Sequence, residues 1–228
     1  MLAHSGHFVD REDAGLQLAK AVAALNLEHP LVLALPRGGV PVAFEIARAL
    51  RAPLDLLLVR KIGAPGHEEY GLGAVVDGDD PQVVLNEEIM RLVDPPAGYV
   101  ESQARLELAE LERRRKAYLG SRPPIPLKDR NVIVVDDGIA TGVTVTAALK
   151  GLKRTSAARV VLAVPVAPAD TIEALRPEVD DIVCLAMPEP FRAVGLHYGD
   201  FGQTTDDEVV TLLDQARRWV KPAEPIRP

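Results

Sequence analysis

The chain is short of cysteine, of basic residues and of long apolar runs, and each shortage closes off a class of protein. Cys184 is the only cysteine among 228 residues, which rules out a disulfide framework and a Cys-rich zinc site. Its surroundings, DIVCLAM at 181–187, read as a buried strand, so the thiol is expected to be packed rather than nucleophilic. Lysine and arginine total 26 against 33 aspartates and glutamates, a formal charge of −7. A general nucleic-acid binder needs a basic field, so no nucleic-acid partner is expected, although a local basic pocket stays open. No apolar run approaches membrane-spanning length, and the N-terminus lacks the apolar stretch of a signal peptide. A cytoplasmic protein with no membrane partner is therefore expected. The sequence also lacks internal repeats, a Walker A Gly-Lys-Ser/Thr and a Gly-x-Gly-x-x-Gly fingerprint.

What is present is a 47% apolar chain of a length that suits one domain, expected over 1–220 with a disordered tail at 221–228. Asp10 is placed to cap a helix whose Leu18, Ala21, Val22 and Leu25 share one face. The run LVLAL at 31–35 reads as a buried strand entering the turn PRGG, after which Pro41 opens a helix to about Leu50. A second buried strand is expected at 55–59. Residues 63–96 are rich in glycine and proline. There, segments 72–76 and 83–85 flank Asp77-Gly78, a hairpin signal, within an expected flexible loop. A helical insertion at 97–120 follows. Its residues 101–119 form a charged helix with a narrow stripe of Ala104, Leu108 and Leu111, and its Arg113, Arg114 and Arg115 read as a solvated face.

Beyond a proline-rich connection at 122–126, strands at 132–135, 160–164 and 182–185 alternate with helices at 143–152 and 169–175. Thr205 and Glu208 form a capping box for a last helix, whose Val209, Leu212, Leu213, Ala216 and Val220 share a face. This alternation predicts an α/β fold, a mostly parallel twisted sheet flanked by helices. Such sheets bind ligands beyond the carboxyl ends of their strands.

One such end stands out, VIVVDDGIATGVT at 132–144. Buried strands rarely end in adjacent acids, because carboxylates need water, cations or donors. The following Gly/Thr loop opens a helix and offers backbone N–H groups and hydroxyls, an anion site suited to a phosphate monoester. Together they suit a ligand with a phosphate at one end and hydroxyls at the other. An ordinary strand-to-helix turn with capping acids is the plain alternative.

Residues 132–144 closely resemble the phosphoribosyl pyrophosphate (PRPP) signature of type I phosphoribosyltransferases. Other parts fall in that family's order. Arg37-Gly38-Gly39 stands where the pyrophosphate loop lies, often with a strained or cis peptide. Arg60-Lys61 ends the next strand, 63–96 takes the place of the flexible loop, and FRAVGLHYGDF at 191–201 looks like the hood (186–203). The resemblance implies transfer of the phosphoribosyl group from PRPP to a nitrogenous base, with release of pyrophosphate. It also implies Mg²⁺ to offset the leaving group's charge and a homodimer.

On that resemblance Asp136 and Asp137 would hold the ribose 2- and 3-hydroxyls, with Asp137 serving either as general base or purely in ribose binding. Gly138, Ala140, Thr141, Gly142 and Thr144 would bind the 5-phosphate; for the threonines this overlaps with helix capping. Arg37, Gly38, Gly39 and Lys61 would meet pyrophosphate, against the plainer readings of a turn arginine and a snorkelling lysine. Phe191, Val194 and Asp200 would contact the acceptor, with Asp200 also offered to the metal; a core Phe and a surface Asp are the alternatives. His197 is expected to be structural. Glu68, Glu69 and Tyr70 stand where relatives carry a lysine or a Ser-Tyr pair, and residues 63–96 contain neither lysine nor serine. The strand at 180–187 lacks the lysine that purine enzymes use. Two other readings follow: a non-catalytic PRPP- or nucleotide-binding sensor, and an enzyme acting on a different ribose-phosphate ester.

Overall fold

The computed structural model describes residues 7–219, except for the side chains of residues 68–70; the expected tail at 221–228 and Val220 lie outside them. Five strands form an all-parallel sheet: β1 (Pro30–Ala34), β2 (Leu54–Leu56), β6 (Asn131–Val135), β7 (Arg159–Val166) and β8 (Asp181–Ala186). Their order is β2-β1-β6-β7-β8. Helices α1 (Arg11–Ala23), α2 (Gly39–Leu50) and α7 (Asp206–Ala216) cover one face, and α5 (Val143–Leu152) and α6 (Ala169–Leu175) the other. Strand residues alternate between the two cores: Val32, Ala34, Ile133 and Val135 pack toward α2, Leu31, Leu33, Val132 and Val134 toward α5. Strands buried on both faces must be nearly continuous in Val, Ile and Leu, and these are.

The chain runs from β1 to β2 at one edge and later returns on the other side of β1 as β6. The strand order therefore reverses between β1 and β6, where a doubly wound sheet leaves a crevice. Register matches Ala34 to Val135, so the turn after β1 and the acids after β6 leave the sheet side by side.

Helix caps follow the sequence. Asp10 accepts a hydrogen bond from the Asp13 amide and Thr205 from the Glu208 amide. Cys184 is partly buried with its thiol donating to the Ala186 carbonyl at 3.2 Å, and burial pushes its pKa up to about 11.

Three expectations are corrected. The second strand ends at Leu56 rather than 59: Leu57 and Leu58 leave the parallel sheet, and a separate strand β3 (Val59–Ala64) starts a three-stranded antiparallel sheet with β4 (His67–Val76) and β5 (Gln82–Leu85). Arg60 and Lys61 thus begin a new strand. The expected hairpin is present, with Val75 opposite Val83, but residues 59–85 are an appended sheet rather than a loop. Gly73 is required by packing, since a Cβ there would lie 2.2 Å from the Val84 carbonyl oxygen. A short helix α3 (Glu87–Val93), capped by Asn86, follows within 63–96.

The third correction is Arg115 on α4 (Tyr99–Leu119). It is buried, donating to both oxygens of Asp55 at 2.6 Å and to Asp77 at 2.9 Å. Asp55 also accepts from the Ile125 amide and Asp77 from the Leu58 amide. These bonds tie α4, the edge strand β2 and the turn after β4 together.

Candidate ribose-phosphate site

At the end of β6, Asp136 and Asp137 enter the crevice. The Asp137 amide donates to Asp136 Oδ1 at 2.9 Å. Burial, then the charge of Asp137, pushes the Asp136 carboxyl well above the usual carboxylate range. Burial also raises Asp137, opposed by the hydrogen bond and charge of Arg11. The Arg11 Nε–H donates to Asp137 Oδ2 at 2.8 Å, with both side chains largely buried. Burial thus disfavours charge on both acids, and Arg11 is the group that opposes this at Asp137.

The turn after β1 closes against these acids. A Cβ on Gly38 would lie 2.0 Å from Asp137 Oδ2, and one on Gly39 would lie 2.7 Å from the Val135 carbonyl oxygen. Only glycine permits this approach. The Pro36–Arg37 peptide is cis. The Arg37 side chain points away from the acids, 3.6 Å from Asp206, into a cavity of about 510 Å³ shared with Arg113, Arg114 and Tyr118.

The Gly138–Thr144 loop links β6 to α5. Gly138 and Gly142 have φ of +156° and +70°. Gly142 caps α5 without a side-chain acceptor, so the first-turn N–H groups are offered to an outside anion. Ala140, Thr141 and Thr144 are exposed, and the Thr171 hydroxyl steadies the loop by donating to the Ala140 carbonyl at 3.1 Å.

Thr141 and Thr144 share a cavity of about 720 Å³ with Lys61, Arg91 and Lys150, roofed by β4 and β5. Lys61 and Arg37 are therefore in different cavities. Lys61 stands on the side of the Gly138–Thr144 loop.

The hood is built from both ends of the chain. Phe8 bonds to His197 and Gly199 on either side of an isolated bridge to Tyr198. The Tyr198 hydroxyl donates to the Asp137 carbonyl at 2.5 Å, and burial holds its pKa far above that of an ordinary tyrosine. Val194 packs against Gly138, where a Cβ would meet it at 2.4 Å. Phe191 is half-buried and stacks on His197 at 5.5 Å. Asp200 is exposed, accepts from the Gly202 amide, and lines a separate cavity of about 490 Å³ with Arg11 and Glu45. The side chains of Glu68, Glu69 and Tyr70 lie outside the described residues.

The structure therefore gathers Gly38, Gly39, Asp136, Asp137, Gly138 and Val194 at one point, with Thr141, Thr144 and Lys61 in the adjoining cavity. It adds two residues that the sequence does not single out, Arg11 and Tyr198. The only local signal for Arg11 is its place at the start of a capped helix that returns to the sheet.

These features converge on one family. The phosphoribosyl transferase domain profile matches residues 13–198, and the chain belongs to that family. Two Mycobacterium tuberculosis proteins, from strains H37Rv and CDC 1551 and each provisionally named a phosphoribosyl transferase, are 47% identical over 211 residues. The alignment takes in 92% of this chain and 47% of theirs, so the chain spans about half the length of these curated relatives. The crystal structure of the Thermus thermophilus protein TT1426 is 44% identical, with a TM-score of 0.81, covering 92% of this chain and 98% of that one. Among the described residues no helix is long and apolar enough to cross a membrane.

Proposed function

We propose that the chain binds PRPP in this crevice and transfers its phosphoribosyl group to a nitrogenous base, releasing pyrophosphate. The observation that carries this reading is the pairing of a partly buried acid dyad with an exposed helix-opening loop at the β1/β6 reversal. Asp137 Oδ2 is engaged by Arg11 and Asp136 Oδ1 by the Asp137 amide. The two carboxyls also hydrogen-bond to each other, and their remaining oxygen capacity is offered to the ribose hydroxyls. The loop amides with Thr141 and Thr144 take the 5-phosphate, and Lys61, which lines the same cavity as these threonines, supports a role for its charge at that end rather than at pyrophosphate. Gly38 and Gly39 let the backbone approach the pyrophosphate beside the anomeric carbon. As positive charge develops on the ribose ring, Asp137, with Arg11 supporting its charge, stabilises it. Asp137 is also the acid placed to accept a proton from the incoming base.

Mg²⁺ fits this site as an ion carried by the ligand. Among the described residues no group of three or more His, Cys, Asp or Glu gathers to hold a metal, and Asp200 lines a different cavity from the phosphate loop. When bound, the ion would be held by the ligand's own oxygens and offset the charge of the leaving group. The acceptor would enter beneath Val194, at the hood.

Calorimetric titration with PRPP and Mg²⁺, followed by a screen of bases for pyrophosphate release, tests the reading. Binding with release for at least one base is expected. No PRPP binding would sink it, and binding without release across a broad panel would turn it to the sensor.

A further inference from the structure

Arg11 lies 126 residues from Asp137 in sequence and is fixed to it and to the hood by three contacts. Its Nε–H donates to Asp137 Oδ2 at 2.8 Å, its Nη1–H donates to the Gly202 carbonyl at 2.7 Å, and its guanidinium sits 4.0 Å over the Phe201 ring. The segment that carries it is stitched to the hood by Phe8 N to His197 O, Gly199 N to Phe8 O and Asp200 N to Val9 O, each 2.8 Å. Arg11, Phe201 and Gly202 all fall outside residues 13–198, the span shared with the family.

Asp137 is enclosed by groups from four places. Asp136 adjoins it just after β6, Tyr198 holds its carbonyl, the Gly38 backbone closes on Oδ2, and Arg11 supplies positive charge. Arg11 sets one guanidinium against two adjacent carboxyls and so offsets the repulsion between them. A contact from Nε to a single oxygen also fixes the rotation of the Asp137 carboxyl.

We propose that Arg11 is the positioning residue for Asp137: it lends that acid a counter-charge and sets the orientation of its carboxyl. The inference rests on the ribose-phosphate reading of the dyad for its function, and on the Arg11–Asp137 contact for its physical content. A plain staple between hood and core is the competing account. A staple would stiffen the fold without setting the charge on one carboxyl.

The test compares wild type with Arg11→Met and Arg11→Lys. In the ligand-free protein, carboxyl-carbon NMR titration follows Asp137, assigned from the signal missing in Asp137→Asn. Arg11→Met is expected to raise its midpoint by about one unit or more, and Arg11→Lys to restore most of the difference. PRPP affinity with Mg²⁺ is expected to weaken by about tenfold or more in Arg11→Met, with rescue by lysine. An unmoved Asp137 midpoint overturns the proposal. So does an affinity loss of equal size in both variants. If wild-type protein binds no PRPP, the functional reading fails separately, while the ligand-free titration still decides whether Arg11 governs Asp137.

Discussion

Asp136 shows how a residue can be wrong for the fold and right for a site. It sits at the end of a fully buried strand beside a second acid, and its carboxyl is driven well above the ordinary range by burial first and Asp137 second. A group whose folded-state pKa exceeds its unfolded one favours folding most below the ordinary carboxylate value. That contribution is lost as pH rises through the raised folded-state pKa. At neutral pH the ligand-free dyad therefore strains the fold, and Asp136→Asn is expected to stabilise the protein by about 1 kcal/mol. The amide keeps the Oδ1 acceptor for the Asp137 N–H. Denaturant unfolding at about pH 7.5 checks this, and a marked loss of stability would contradict it. Cys184, raised to about 11 by burial, is expected to react with thiol reagents at about pH 8 far more slowly in the native than in the unfolded protein.

At the scale of elements, the appended sheet β3–β5 is held to the domain largely through α4 and α5. Arg60 pairs with Glu107 at 2.6 Å, the Tyr99 hydroxyl donates to the Gly63 carbonyl at 3.2 Å, and Arg154 donates to the Val83 carbonyl at 2.7 Å. The deepest tie is Asp55–Arg115–Asp77. Burial pushes Asp77 up to about 6, with Arg115 and the Leu58 amide pulling down and Asp55 pushing up. Stability from its proton is complete below about pH 4 and lost as pH rises through about 6. The size is on the order of 3 kcal/mol. Unfolding free energy measured between about pH 4 and pH 7 should show this fall, and Asp77→Asn should flatten it. Arg115→Met leaves two buried acids without their cation and is expected to cost about 3–5 kcal/mol at about pH 7.5, less at about pH 5 where Asp77 protonates.

The same elements show what can be read in the sequence and what cannot. Strand β6, its acids and its loop are adjacent in the chain, so their chemistry is visible as a string. The helix caps at Asp10 and Thr205 are equally local. Residues 63–96 read as a loop because glycine and proline mark turns, whereas Gly73 answers to the neighbouring strand and α3 is only seven residues long. Arg115 looks solvated because its partners stand 60 and 38 residues away. Arg11 escapes notice for the same reason at greater range. Charged groups whose partners arrive only through the fold leave no local pattern.

At the scale of the whole molecule, the order β2-β1-β6-β7-β8 places the turn after β1 beside the acids after β6, and the hood brings Phe8 and Tyr198 over them. A ligand that binds only the folded crevice should stabilise the protein as a unit, by about 2.7 kcal/mol at roughly one hundred times its dissociation constant. Removing Mg²⁺ with a chelator should weaken that stabilisation by PRPP, as followed by thermal unfolding. The homodimer expected from the resemblance is checked by light scattering on the eluted peak.

The most direct measurement is calorimetric titration of PRPP with Mg²⁺ into wild-type protein and into Asp136→Asn/Asp137→Asn, with folding of both confirmed by circular dichroism. Saturable binding to the wild type, weakened by about a hundredfold or more in the double variant as two hydroxyl contacts lose their carboxyl partners, is the predicted result. Equal affinity in the two proteins, or no binding to either, would contradict a ribose-phosphate site at Asp136 and Asp137.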